Sequence, residues 1–195
     1  MKSRSLLLAS YNEHKLEEFR QMLPAEFLLS SLRDIGFTAE IAEPFETFGE
    51  NALAKTSFIF RQTGMVCFAD DSGLEIDALE GRPGVRSARY AGEGRRPEDN
   101  VHQVLMELGT NPVRSARFVA VIAYQLSDTV AYLFKGTVEG NISFHSMGKG
   151  GFGYDPIFIP SGFDLTFGQL SSHLKNQISH RAKAVELFLN FLKEN

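Results

Sequence analysis

The sequence predicts an α/β fold: an elongated mixed β-sheet flanked by helices, with two lobes around a central cleft. Three observations carry this. Helical and strand-like patterns alternate through the first half of the chain, as they do where strands run parallel. Two long β-rich runs then follow one another through Ser127-Asp128, which reads as an antiparallel hairpin and makes the sheet mixed. No Pro/Ser-rich linker, internal repeat or low-complexity tract divides the chain, so residues 1–195 are expected to form a single domain.

In order, "SLLLAS" is a short buried strand, followed by a helix from about Glu13 to Leu23 with Leu16, Phe19, Met22 and Leu23 inward. "ENALAKTSFIFRQTG" is helical and ends at Gly64, since glycine closes helices readily. "MVCFADD" is a second buried strand, after which "SGLE" is expected to turn the chain. "PEDNVHQVLMEL" is helical, with Val101, Val104, Leu105 and Leu108 on one face. The hairpin "ARFVAVIAYQLSDTVAYLFKGTVEGNIS" comes next, and "GKGGFGYDPIF" is a loop leading into another strand. In "NQISHRAKAVELFLNFLK", Ala182, Val185, Phe188, Leu189 and Leu192 recur at helical spacing, with Ser179 as N-cap.

Composition sets limits on function. With 195 residues, 43% of them hydrophobic, the chain can bury about 70% of its unfolded surface without a disulfide or structural metal. A net charge of -4 and a pI near 5.8 argue against a nucleic-acid coat or a membrane-surface role. Cys67, alone in an apolar run, reads as a small buried hydrophobe in a reducing compartment. No apolar stretch is long enough to span a bilayer, and Leu6 to Ala9 is too short for a signal peptide. The expected location is cytoplasmic, with no nucleic-acid or membrane partner.

Two helix starts carry cations where negative charge is favoured. Asn12 is a good N-cap, and Lys15 falls where a capping box places Glu or Gln. After Ser179, His180, Arg181 and Lys183 crowd the first turn, each at a cost of roughly 0.3–1 kcal/mol. A solvated lysine accounts for the first site alone. Both together suggest a bound anion, because helix N–H groups and nearby basic side chains are what a phosphate chain needs.

Four further stretches carry candidate chemistry. In "FADDSGLEID" the side chains of Asp70 and Asp71 should leave an extended strand on opposite faces, so only a turn there would bring both to one site. Their hard oxygens suit Mg²⁺, while an Asp/Ser turn satisfying its own backbone is the plainer reading. In "AEIAEPFETFGENALAK", Glu43, Glu46 or Glu50 could add a metal ligand and Lys55 a phosphate contact, and spacing does not choose among the glutamates. "GRPGVRSARYAGEG" reads as a loop wall or a surface turn with solvated arginines. In "GKGGFGYDPIF" the glycines allow close backbone approach, Phe152 and Tyr154 could stack on a planar base, and Asp155 could accept its N–H groups. Aromatics entering a strand are otherwise core.

Taken in order, "SYNEHK", "TFGENALAK", "FADDSGLE", "GRPGVRSARYAGE", "GFGYDPIF" and "KNQISHRAKA" resemble the inosine triphosphate pyrophosphatase family over nearly the whole chain. The resemblance implies Mg²⁺-dependent hydrolysis of ITP, dITP and XTP to monophosphate and pyrophosphate, with Mn²⁺ as a substitute ion. A homodimer is expected. Asp71 matches the family's general base and metal ligand, with Asp70 its acidic neighbour, and Glu43 matches the metal-binding glutamate. Ser10, Tyr11, Asn12 and Lys15 fall on the phosphate loop, joined by Lys55 and Ser72. Phe152, Gly153, Tyr154, Asp155, Lys175, His180 and Arg181 match the set that binds the nucleotide and reads its base. The chain departs from the family at Ser10-Tyr11, where Thr-Gly is usual, and at Gln169 and Leu174, where acids are often found.

The mechanism so implied is in-line attack of water on the α-phosphorus, with Asp71 activating the water and Lys15 and Lys55 clamping phosphates. His180 and Arg181 would donate to the six-position oxo group, which adenine lacks. A Maf-like nucleotide pyrophosphatase and a non-catalytic nucleotide-binding regulator are the rival readings.

Overall fold

The computed structural model describes residues 4–92, 94 and 96–195. Six strands form one sheet: β1 (Arg4–Leu8), β2 (Phe27–Ser31), β3 (Cys67–Ile76), β4 (Ser115–Gln125), β5 (Ala131–Ile142) and β6 (Phe158–Pro160), in the order β2-β1-β3-β4-β5-β6. Five α-helices accompany them: α1 (Glu13–Met22), α2 (Phe48–Thr63), α3 (Pro97–Leu108), α4 (Ser172–Ile178) and α5 (His180–Glu194). β1 runs parallel to both β2 and β3, while β6 pairs antiparallel with β5. β4 and β5 are neighbours joined only through residues 126–130, too short for a parallel crossover, so they too are antiparallel. The sheet is therefore mixed and flanked by helices, as the sequence predicts.

The chain divides into two compact units. The first takes in the chain up to Asp71, together with Ala120–Lys135 and Ala184–Asn195. Within it, Leu6 and Leu8 join one apolar cluster and Leu7 and Ala9 another, so both faces of β1 are buried, as expected of an inner parallel strand. β3 behaves likewise: Phe68 lies in the first cluster, and Cys67 and Ala69 lie in the second. The ring of Phe68 meets Phe19 of α1 edge-on at 5.1 Å and Phe188 of α5 at 5.2 Å.

The second unit comprises Ser72–Val119 and Gly136–Lys183. Its core gathers Leu74 and Ile76 of β3, Val101, Val104 and Leu108 of α3, Phe118 of β4, and Phe158 and Phe167. This core explains a correction. Ser72-Gly73 does not turn the chain; β3 continues in extended form to Ile76. Leu74 and Ile76 are fully buried, and the Leu74 N–H donates to Ser87 Oγ at 2.9 Å, so the chain is drawn onward through the glycine.

Helix ends follow the sequence signals. Asn12 Oδ1 accepts the Lys15 N–H at 3.2 Å, and Gly64 closes α2 in the left-handed conformation with its N–H on the Phe60 carbonyl. Ser179 serves two helices. Its N–H donates to the Lys175 carbonyl and ends α4, and its Oγ accepts the Ala182 N–H and opens α5. β2 and α4 are the elements that the sequence pattern does not announce. Among the described residues, no helix is long and apolar enough to cross a membrane.

Phe188 is fully buried and also touches the rings of Tyr124 and Phe134. Phe188→Ala should cost about 3–5 kcal/mol of stability. A urea unfolding midpoint within error of the parent's would contradict this packing.

Candidate active site

The acids that end the apolar stretch of β3 are almost inaccessible, Asp70 at 1% and Asp71 at 6% exposure. A buried carboxylate is tolerated only beside a compensating charge, and two lysines provide it. Lys15 Nζ lies 2.9 Å from Asp70 Oδ2 and donates to the Asp70 carbonyl at 3.1 Å. Lys55 Nζ lies 2.8 Å from Asp71 Oδ1, 2.7 Å from Glu43 Oε1 and 3.4 Å from the same Asp70 carbonyl. No turn is needed to assemble the group, because the lysines reach it from separate helices. Lys15 stands in the first turn of α1, and Lys55 lies on the buried face of α2 with Asn51, Ala52, Thr56 and Ile59.

Of the three glutamates, one lies beside this network. Glu43 pairs with Lys55, Glu46 is exposed, and Glu50 accepts from Thr47 Oγ1 at the start of α2. Three carboxylates thus share two ammonium groups. Burial pushes the Asp71 carboxyl above the usual range, and Lys55 and then Lys15 reverse this only in part. Burial opposes the charge on Lys55, but Asp71 and Glu43 outweigh it and hold that ammonium above the ordinary lysine range. Asp71 Oδ2 is buried and has no hydrogen-bond partner.

Ser10 and Tyr11 shape the approach to α1. Ser10 Oγ accepts the Asn12 N–H at 3.2 Å. The Tyr11 hydroxyl lies 3.0 Å from the carbonyls of both Phe37 and Ala39, so this tyrosine ties the β1–α1 junction to that segment.

A second constellation forms in the other unit. Lys175 Nζ meets Asp155 Oδ2 at 2.5 Å, and that oxygen also accepts the Phe152 N–H at 2.7 Å. Gly151 is required here, since it has φ +70° and a Cβ would overlap the Asp155 carboxylate. Gly153 also takes a positive φ, but in open space. The Phe152 ring is half-buried, with Lys175 Nζ 4.8 Å and Arg181 Cζ 5.7 Å from its centroid. Arg181, only 1% exposed, donates from Nη2 to Ser72 Oγ at 2.9 Å. His180 is buried with its ring stacked on Phe118.

Tyr154 is placed differently from its neighbour. It lies in the core of this unit and its hydroxyl donates to the Ser87 carbonyl at 2.8 Å, so Phe152 alone of the pair keeps a partly open face. Ser87 is a hub that sequence reasoning missed: its Oγ accepts from the Leu74 N–H and donates to the Gly84 carbonyl. Its signal in the sequence is only that of a loop serine. In the same loop Arg82 pairs with Glu107, while Glu93 of that motif lies outside the described residues. Gln169 accepts the Thr166 N–H in a local turn, and the Leu174 N–H donates to Ser171 Oγ at the start of α4.

A sequence model of the Ham1 family matches residues 6–191. The chain belongs to the Ham1 family. A dITP/XTP pyrophosphatase of Flavobacterium johnsoniae is 44% identical over 187 residues, covering 96% of this chain and 97% of that protein. The solved Ham1 protein of Staphylococcus aureus matches with a TM-score of 0.89 and 39% identity, over 98% of this chain and 99% of that one. A HAM1 protein of Coxiella burnetii matches with a TM-score of 0.90 and 37% identity, over 98% and 99%.

In this Ham1 chain the Lys175–Asp155 pair is nearly solvent-free, with side-chain exposures of 4% and 2%. Lys175→Met removes the cation and leaves the carboxylate buried, which should cost about 3–5 kcal/mol. An unfolding free energy within about 1 kcal/mol of the parent, by denaturant titration, would show that the pair is not a stabilising contact.

Proposed function

We propose that this chain hydrolyses non-canonical purine nucleoside triphosphates, dITP, XTP and ITP, to the monophosphate and pyrophosphate. Residues 1–195 act as one catalytic domain on a small-molecule substrate in the cytoplasm. The observation that carries the chemistry is Asp71: a buried carboxylate with one oxygen held by Lys55 and the other unpartnered. Family membership, and a relative named dITP/XTP pyrophosphatase that aligns from end to end, supply the substrate class. The same match favours this reading over a Maf-like one.

Asp71 holds a water for in-line attack on the α-phosphorus and takes its proton as the new P–O bond forms and the bond to the β-phosphate oxygen breaks. A carboxylate whose affinity for protons is raised by burial suits that role better than a solvated one. Lys15 and Lys55 lie along the phosphates. Each ammonium is already held by carboxylates, so little side-chain freedom is lost when substrate binds. In the other unit Phe152 offers its face to the purine, and Arg181 and His180 donate to the six-position oxo group, where adenine would present an amino donor instead. Ser72, Gly153, Asp155 and Lys175 hold that region in shape and contact the nucleotide.

The residues fit a divalent cation. Glu43 and Asp71 lie on either side of the Lys55 ammonium, and Asp71 Oδ2, which Lys55 does not hold, is a hard donor without a partner. Two carboxylates suit an ion such as Mg²⁺, or Mn²⁺ in its place, that completes its shell with water and phosphate oxygens. Bound there, the ion would neutralise charge that develops on the phosphate oxygens. A homodimer completes the reading, and the exposed Tyr132 and Leu133 of β5 offer apolar surface of the kind a second copy covers.

Asp71→Asn should lower pyrophosphate release from dITP by about 10²–10⁴-fold without unfolding the protein. Activity near that of the parent would remove Asp71 from the role. Products must also be identified: diphosphate with inorganic phosphate, in place of monophosphate with pyrophosphate, would overturn the reaction class. Glu43→Gln is expected to raise the Mg²⁺ concentration required for half-maximal rate, and an unchanged requirement would take Glu43 out of the metal site.

A further inference from the structure

Residues 37–47 lead towards α2 without helix or strand, and Glu43 hangs from this stretch. Irregular main chain holds one course only where side chains and packing tie it down. Asn51 ties it at one end. This residue is 1% exposed, and its amide closes on both backbone groups of Phe45: Oδ1 accepts the Phe45 N–H and Nδ2 donates to the Phe45 carbonyl, each at 3.0 Å. Lys55 follows Asn51 by one turn on the same buried face of α2, about 6 Å along the axis. Glu43 precedes Phe45 by two residues, about 6.6 Å of extended chain, and pairs with Lys55 at 2.7 Å. The stretch 43–45 therefore runs back along α2 in step with it. Pro44 supports this course, because a residue before proline is disfavoured in the helical region. At the other end the Tyr11 hydroxyl lies 3.0 Å from the carbonyls of Phe37 and Ala39, and Ile41 packs on the cluster of Leu7, Ala9 and Ala69.

We propose that Asn51 is a positioning residue for metal binding, which holds the main chain of Glu43 alongside Lys55, with Tyr11 holding the same stretch from its far end. This rests on the reading of Glu43 as a metal ligand. Glu43 keeps its own side-chain contacts, Lys55 among them, whether or not Asn51 is present. What the clasp adds lies in the main chain. A carboxylate whose backbone is already in place loses less conformational freedom when it turns from an ammonium group to an ion. Asn51 touches neither ion nor nucleotide in this account. Its loss weakens metal binding by a modest factor and does not abolish it.

Two measurements on the same variants test this. In hydrogen exchange of the metal-free protein, Asn51→Ala should speed exchange in peptides spanning residues 40–47 and leave those of β3 unchanged. In kinetics with dITP, Asn51→Ala should raise the Mg²⁺ concentration for half-maximal rate by about 3- to 10-fold, the equilibrium worth of one hydrogen bond. The rate at saturating Mg²⁺ should change little. In the Glu43→Gln background Asn51→Ala should add no further rise. Loss of stability alone would lower the rate at every Mg²⁺ level and leave the half-maximal concentration in place. Should the Ala variant not fold, Tyr11→Phe removes one hydroxyl from a half-buried ring, loosens the same stretch at its other end and gives the same comparison. Unchanged exchange, or an Mg²⁺ requirement that stays put while Glu43→Gln raises it, overturns this proposal and leaves the metal role of Glu43 standing. So does a rise that persists in full without the Glu43 carboxylate. A requirement unmoved by Glu43→Gln itself overturns both.

Discussion

Two adjacent aspartates at the end of a fully buried strand segment constrain much of the first unit. Removing a carboxylate from water costs several kcal/mol even after the protein relaxes, and Asp70 and Asp71 are both almost fully removed. A strand with one apolar face could turn such residues outward. β3 cannot, because its alternate residues are committed to two different apolar clusters. The lysines are therefore structural necessities before they are anything else. α1 must begin where Lys15 reaches Asp70, and α2 must bury a lysine on its apolar side so that Lys55 meets Asp71. The Asp70 carbonyl, within reach of both ammonium groups, ties the two pairs into one network.

In the second unit, aromatic surface lies beside two of the buried cations. Lys175 is matched by Asp155, and Phe152 flanks both Lys175 and Arg181. Ring faces attract cations without the strong hydration that a carboxylate demands, and they leave the cations able to donate elsewhere. Gly151 belongs to the same economy of space, because only a residue without a side chain lets the Asp155 carboxylate lie against the loop that precedes it. Tyr154 and Phe152, two residues apart, divide the work: one is anchored in the core through Ser87, the other keeps a face partly open.

Much of this was legible in the sequence, for reasons that differ from element to element. α3 and the β4–β5 hairpin follow periodicity, and their predicted positions agree with those observed. Gly64 and Ser179 mark helix ends because cap geometry is local. β2 was missed because "FLLSS" has only one apolar flank and no alternation, and its strand state comes from register with β1. α4 was missed because seven residues carry too little pattern to separate from the helix that follows. The turn expected at Ser72-Gly73 failed because local turn chemistry lost to the burial of Leu74 and Ile76, which lie beyond any local window. Asn51 could not be singled out either. In the run "ENALAKTSFIFRQTG" it reads as one more helical residue, and nothing in that run points to the main chain of Phe45.

The misplaced cations at two helix starts show how far a local electrostatic argument reaches. The cost of a positive group near a helix N-terminus is real, and it rightly marked Lys15 and Arg181 as unusual. The compensation, however, is already present within the chain. Asp70 supplies the negative charge near α1, and at α5 the Ser72 hydroxyl accepts from Arg181 while His180 rests on an aromatic face. An arriving polyanion would therefore compete with internal partners for these groups. Competition of this kind favours selectivity over raw affinity: a ligand gains only what its contacts add beyond those it replaces, so a poorly matched one gains nothing.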